Sequence, residues 1–223
     1  MPMRRYLPFI IIAAVGLLTV TGGAFLYHAK RPALPIVPKE RPTDTADSAH
    51  SLGPADAAVT LEEYGDFQCP PCGVLSEHIS QMSRDFPQLR IVFKNFPLAM
   101  HQHANEAALA AEAAGLQGHF WKMHDLLYRE QGVWSKAPDT HGLFNAYAAM
   151  IKCNVDRFKK DMASAQVSAR VASDQKEGSK LGVTNTPTIF INNTAVPPAS
   201  LNPKDLRTAV QAALKEAKPT AGK

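Results

Sequence analysis

The chain has 223 residues, 45% of them apolar, with 17 prolines and 3 cysteines, enough for one domain with an appendage and too apolar for wholesale disorder. Its formal charge of +4 is carried by Arg4, Arg5, Lys30 and Arg31, so the rest of the chain is neutral. Nucleic-acid binding needs Lys and Arg gathered on the folded surface and is set aside.

From Tyr6 to Tyr27 no residue is charged. As a helix this run is about 33 Å long, close to the hydrocarbon thickness of a bilayer. A cleaved secretory signal is the alternative, with Gly22-Gly23-Ala24 as its exit. The run outlasts a signal's usual apolar core and continues through Phe25-Leu26-Tyr27, so an uncleaved anchor is the expectation. Lys30 and Arg31 nearly balance Arg4 and Arg5 and leave orientation poorly set by charge. Either reading carries the bulk of the chain across a membrane. Residues 32–51 hold Pro32, Pro35, Pro38 and Pro42 among polar side chains, a partly extended spacer reaching about 60 Å at most.

Patterning begins near Leu52. Ala57 to Gly65 alternates, with Val59, Leu61 and Glu63 on one face, and predicts a strand. A helix is predicted from Cys69 to about Asp85 through Leu75, Ile79 and Met82, and a second strand over Leu89 to Lys94. Ala104 to Glu130 predicts two helices broken at Gly115 to Gly118, and Leu143 to Lys152 and Val155 to about Lys180 continue the helical character. This stretch reads as a helical insertion. Thr188 to Ile191 is a strand followed by the turn pair Asn192-Asn193, and Asn202 caps a final helix with Pro203 in its first turn.

Cys69-Pro70-Pro71-Cys72 follows a strand and opens a helix. Two cysteines in one helical turn share a face, with Cα atoms within the roughly 4.4–6.8 Å a disulfide requires. The first lies where backbone N–H groups point outward and the dipole is positive, which lowers a thiol's pKa. Cys69 is therefore the expected attacking sulfur. Neither Pro70 nor Pro71 has an N–H, so those of Cys72 and Gly73 are expected to serve the thiolate. A structural bridge and half of a metal site are the bland readings of two such cysteines. No metal is expected: Cys153 is the only other thiol, and His101, His103, His119 and His124, in or beside helices, read as solvated. Glu63 is expected inside the sheet, its pKa raised by desolvation, to exchange a proton with Cys72. The alternative is an exposed Glu62-Glu63 pair at a strand edge. Cys153 reads as a buried, inert thiol, or else as one that pairs between chains or joins the exchange.

Tyr64-Gly65-Asp66-Phe67-Gln68-Cys69-Pro70-Pro71-Cys72, Asn95-Phe96-Pro97-Leu98, Gly118-His119-Phe120-Trp121 and Val183-Thr184-Asn185-Thr186-Pro187-Thr188, in that order, resemble the DsbA-like thiol:disulfide oxidoreductases of the thioredoxin superfamily. The likeness covers about Leu52 to Lys218. It implies an α/β thioredoxin fold with an inserted helical domain at about 100–180, preceded here by a single N-terminal transmembrane helix. The expected divisions are an anchor or signal at 1–31, a linker at 32–51, the domain at 52–218 and a tail at 219–223. By this resemblance Cys69 is the nucleophile, Cys72 the resolving cysteine, Pro187 a cis-proline facing them and Glu63 the buried acid beneath. Thr186, with Pro70 and Pro71, would meet the substrate. Asn185 departs from a common glycine. Pro71 replaces the histidine of the strongly oxidising members, and that implies a weaker oxidant.

The expected function is extracytoplasmic disulfide formation in exported proteins, without a cofactor. Its partners are unfolded polypeptides with free thiols and a membrane protein that reoxidises the pair. An isomerase or reductase on the same fold is one alternative, and a chaperone-like binding module with a structural disulfide is another.

Overall fold

The computed structural model describes residues 50–217. The expected transmembrane segment at 6–27, most of the linker and the tail lie outside them. Among the described residues no helix is long and apolar enough to cross a membrane.

Five strands form one sheet. They are β1 (Ser51–Leu52), β2 (Val59–Gly65), β3 (Leu89–Asn95), β4 (Thr188–Ile191) and β5 (Thr194–Ala195), in the order β1-β3-β2-β4-β5. β2 and β3 run parallel with Val59 opposite Leu89 and Glu63 opposite Phe93, joined by helix α1 (Pro70–Asp85). β4 lies antiparallel on the other side of β2, with Ile189 opposite Glu63. β2 is thus central and almost wholly buried on both faces. The exposed Glu62-Glu63 pair is excluded, since each is 2% exposed. β1 was not anticipated. Its two residues pair with β3 through the backbone and leave no side-chain alternation to read.

Between β3 and β4 stand α2 (Ala104–Gly115), α3 (Phe120–Arg129), α4 (Gln131–Trp134), α5 (His141–Met150), α6 (Val155–Met162) and α7 (Ala165–Lys180). This is the helical insertion. The continuous run anticipated from Val155 divides into α6 and α7 because the Ser164 hydroxyl accepts the Val167 N–H at 3.2 Å and starts a new helix. Helix α8 (Pro203–Ala217) closes the chain, its Asp205 N–H bonded to Asn202 Oδ1 at 3.0 Å.

One core packs Leu75, Ile79 and Met82 of α1 and Leu206, Val210 and Leu214 of α8 against Val59, Leu61, Ile91 and Ile189. A second joins the insertion to the start of α1: Cys69 and Cys72 belong to one cluster with Phe67, Phe93, Met123, Tyr128 and Trp134. The buried alanines of α2, among them Ala107, Ala110, Ala111 and Ala114, bring that helix close. A third cluster gathers Tyr64, Phe96, Val183 and Phe190. Gly178 of α7 lies against it, where an added Cβ would stand 2.8 Å from the Tyr64 ring and 2.9 Å from that of Phe96. Gly178→Ala is expected to destabilise by about 1–2 kcal/mol, overpacking outweighing the better helix propensity. A lower urea midpoint at unchanged slope would show it.

Candidate active site

β2 ends at Gly65, and the Asp66 carbonyl oxygen accepts the Cys69 N–H at 3.0 Å. Cys69 is the N-cap of α1, with Pro70 and Pro71 in the first turn, both exposed. The proline at the first helical position lacks an N–H that would have no intrahelical partner there, so the motif starts the helix without loss. Two glutamines hold the loop. Gln131 Nε2 donates to the carbonyl oxygens of Phe67 at 2.7 Å and Cys69 at 3.0 Å, while Gln68 Oε1 accepts the His103 N–H at 2.7 Å.

Cys69 is 5% exposed and Cys72 fully buried, both as free thiols. Their acidities are pushed apart. A hydrogen bond from the Cys72 thiol lowers the Cys69 pKa to about 6, aided by the Thr186 side chain and the Cys72 N–H, against burial and the Asp66 charge. The Cys72 pKa rises well above that of an ordinary thiol, chiefly through burial and then because its proton is held for Cys69. The expected lowering at the helix start is present. Gly73 does not contribute to it as anticipated, because its N–H is spent on the Cys69 carbonyl oxygen at 3.2 Å.

Thr186-Pro187 is a cis peptide. It precedes β4 and faces the pair: as a thiol, Cys69 Sγ donates to the Thr186 carbonyl oxygen at 3.2 Å. The Thr186 hydroxyl is buried with no other partner, which leaves its proton for the Cys69 sulfur. Thr186 and Pro187 are half-buried, and the two prolines of the motif are exposed.

Glu63 lies beneath. Burial, then the Cys69 charge, raises its pKa to about 8, so its carboxyl is protonated at neutral pH, and Oε1 has no hydrogen-bond partner. Tyr128 of α3 completes this floor. Its hydroxyl is also buried and unpartnered, and its pKa is pushed well up by burial and by Cys72 and Glu63. Gly65 permits the approach: a Cβ there would stand 2.5 Å from the Phe93 ring and 3.0 Å from the Tyr128 hydroxyl. The site therefore sets an acidic sulfur beside a proton-holding sulfur and carboxyl.

The structure brings together Glu63, Cys69, Cys72, Thr186 and Pro187; Cys153, after α5, shares the buried cluster of the two cysteines but is not among the groups that shift the acidity of either, and burial raises its own pKa. The solvated reading of the histidines is overturned for three of them. His124 is buried in an aromatic cage with Phe67, Phe93, Trp121 and Tyr128, where burial lowers its pKa, His103 is 6% exposed, and His101 Nδ1 lies 2.7 Å from Asp66. His124 is on the inward face of α3 and the other two lie in the turn before α2, which single positions do not announce. Asp66, Tyr128 and Gln131 went unassigned in the sequence. An Asp ahead of the first cysteine, with its Oδ1 taken by the Gln68 N–H at 2.7 Å, is the one local signal that could have marked the first of them. Among the described residues no group of three or more His, Cys, Asp or Glu could hold a metal ion.

A family model described as Thioredoxin (Thioredoxin_4) matches residues 45–217. The chain belongs to the thioredoxin family. Its fold is similar to that of BdbD from Bacillus subtilis, with a TM-score of 0.68 and 24% identity over 80% of this chain and 98% of that one. A thioredoxin-like oxidoreductase from Silicibacter pomeroyi superposes with a TM-score of 0.65 at 24% identity, covering 78% of this chain and 99% of that one. Alpha-DsbA1 of Wolbachia pipientis gives 0.63 at 18% identity, over 75% and 91%. The thioredoxin fold and family that the resemblance implied are borne out, and proteins named DsbA and a thioredoxin-like oxidoreductase are among those that share the fold. Two curated relatives carry another name. The Na(+)/H(+) antiporter NhaA 1 of Salinispora arenicola is 42% identical over 147 residues, 66% of this chain and 22% of its own length. NhaA 3 of Salinispora tropica is 35% identical over 199 residues, 81% and 30%. The chain thus spans less than a third of either relative. Matches that long cannot fit outside residues 45–217, so the shared part takes in the thioredoxin-family region.

Proposed function

We propose that this chain forms disulfides in exported polypeptides by dithiol–disulfide exchange through Cys69 and Cys72. The observation that carries the reading is the opposite displacement of the two thiols, Cys69 to about 6 and Cys72 well upward, beside the cis Thr186-Pro187 peptide. A substrate thiolate attacks Cys69 Sγ of the bridged form, the Cys69–Cys72 bond breaks, and its electron pair leaves on Cys72. That sulfur is the poorer anion, and Glu63, protonated up to about pH 8, supplies the proton. A second substrate thiol, as its thiolate, then displaces Cys69, which leaves as the stabilised thiolate. The substrate has lost two electrons and the chain holds them as a dithiol. Thr186, Pro187, Pro70 and Pro71 are the residues assigned to meet the substrate backbone.

The work is assigned to the extracytoplasmic side of a membrane, where disulfides persist. Residues 6–27 are its anchor and 32–51 its spacer, on the strength of their sequence alone. A membrane protein that accepts the two electrons restores the bridge. The direction of net exchange follows from relative reduction potentials, and the depressed Cys69 pKa favours an oxidant because it stabilises the dithiol form. An isomerase or reductase would share the site and differ only in that potential.

The test uses the oxidised full chain and a reduced peptide with two cysteines. Stoichiometric bridging of the peptide is expected, together with a midpoint near pH 6 for Cys69 alkylation in the reduced chain. A midpoint near that of a free thiol, with no transfer to the peptide, would overturn the reading in favour of a structural bridge.

A further inference from the structure

Cys69 is gripped through its backbone from two directions. Its N–H donates to the Asp66 carbonyl oxygen at 3.0 Å, within its own loop. Its carbonyl oxygen accepts the Gly73 N–H at 3.2 Å and, from the insertion, the side-chain amide of Gln131 at 3.0 Å. The same Nε2 donates to the Phe67 carbonyl oxygen at 2.7 Å. An amide nitrogen carries two hydrogens, so one side chain serves both oxygens. Gln131 comes this close because residue 73 is glycine: a Cβ there would stand 3.0 Å from Gln131 Oε1 and 3.3 Å from Nε2.

The glutamine is itself anchored. α4 is a single turn, too short to hold its place unaided. Trp134 at its end is fully buried, donates its Nε1–H to the Leu127 carbonyl oxygen at 2.7 Å and packs edge to face on Phe144 with 5.5 Å between ring centroids. Gln68 makes a second tie between the loop and this turn, its Nε2 donating to the Ser135 carbonyl oxygen at 3.3 Å while Oε1 accepts the His103 N–H at 2.7 Å. Neither bond of the Gln68 side chain ends on Cys69.

We propose that Gln131 is a positioning residue for the exchange, its amide fixing the peptide planes before Gln68 and after Cys69 and so holding the Cys69 sulfur beside Thr186. The Cys69–Pro70 peptide unit has no N–H, which leaves its carbonyl oxygen as its one hydrogen-bonding handle. Proline at 70 keeps Cys69 extended but allows ψ a range of some tens of degrees; the amide selects the ψ of 118° at which Sγ lies 3.2 Å from the Thr186 carbonyl oxygen. The inference rests on the reading of Cys69 as the nucleophile.

Gln131→Met keeps the length of the side chain and removes both donors. In the reduced full chain it is expected to raise the Cys69 alkylation midpoint by about half a pH unit, a roughly two-fold loss of rate at pH 6. In the oxidised full chain it should slow bridging of the two-cysteine peptide by about ten-fold. Gln68→Met is the matched control, since it too removes two hydrogen bonds that fasten the loop. It should lower the denaturant midpoint as much as Gln131→Met does and leave the alkylation midpoint and the bridging rate at parent values. Equal shifts of alkylation midpoint in the two variants, which a loosened loop would give, or no shift in Gln131→Met, overturn the proposal. If Gln131→Met does not fold, Gly73→Ala decides, because its Cβ crowds the amide at a position where alanine otherwise favours the helix: a raised alkylation midpoint supports the proposal and an unchanged one overturns it. A parent chain that bridges no peptide sinks the exchange reading itself; one that bridges it while Gln131→Met behaves identically sinks only this inference.

Discussion

Replacing Cys72 with serine is expected to leave the chain covalently attached to its substrates. The Cys69 thiolate of the variant attacks a disulfide of a partner polypeptide, one partner sulfur leaves as a thiolate, and a mixed disulfide remains. Resolution from within needs a thiol in the same helical turn, and Cys72 is the residue that fills that place. Cys153 lies outside that turn, and burial raises its pKa, so it is not expected to stand in. Turnover should fall by about 10³-fold or more in both Cys72→Ser and Cys69→Ser, since each removes a sulfur on which a step depends. Only Cys72→Ser should accumulate an adduct, visible on a non-reducing gel and lost with dithiothreitol. Equal adduct in the two variants would show that the attacking sulfur had been misassigned.

Glu63→Gln is expected to make the reduced chain more stable and slower. The pKa of Glu63 rises from 4.5 to about 8 on folding, so the folded chain keeps a proton that the unfolded chain has released. Stability on this account is full below pH 4.5 and is lost progressively as pH rises to about 8, by on the order of 5 kcal/mol. Glutamine copies the neutral acid. Its advantage should therefore be absent at pH 4, grow through neutrality and level off above pH 8. Part of the rise comes from the Cys69 charge, so the gain should be smaller in the bridged form, where that charge is gone. Exchange should slow by about 10–100-fold for want of a proton donor to Cys72. Denaturant midpoints across this pH range, in both redox states, give the first result, and stopped-flow reduction of the bridge gives the second. A pH-independent stabilisation would mean that Glu63 is ionised in the folded chain.

The sequence conveyed the strand–helix junction at Cys69, the insertion and the capped final helix, because each is a matter of neighbours along the chain. Alternation at Val59, Leu61 and Glu63 shows that a carboxylate shares a strand face with two core residues, but not that β2 is the centre of the sheet. The order of strands made that so, and with it came the burial that raises the pKa of Glu63. β1 escaped notice because pairing of two residues leaves no periodicity, and His124 because one position cannot reveal which way its helix faces.

By itself the sequence determined that two cysteines share the first turn of a helix at the end of a strand, since turn geometry repeats over a few residues and proline and dipole effects act within that span. Tertiary structure decided what surrounds them. The Thr186 carbonyl oxygen reaches Cys69, Tyr128 and Glu63 form the floor, and His101 pairs with Asp66, each through packing between segments far apart in the chain. The acidity of a sulfur depends on every charge and dipole within a few ångströms. Most of those here arrive from other elements, so the motif names the reacting atoms while the fold sets how readily they react.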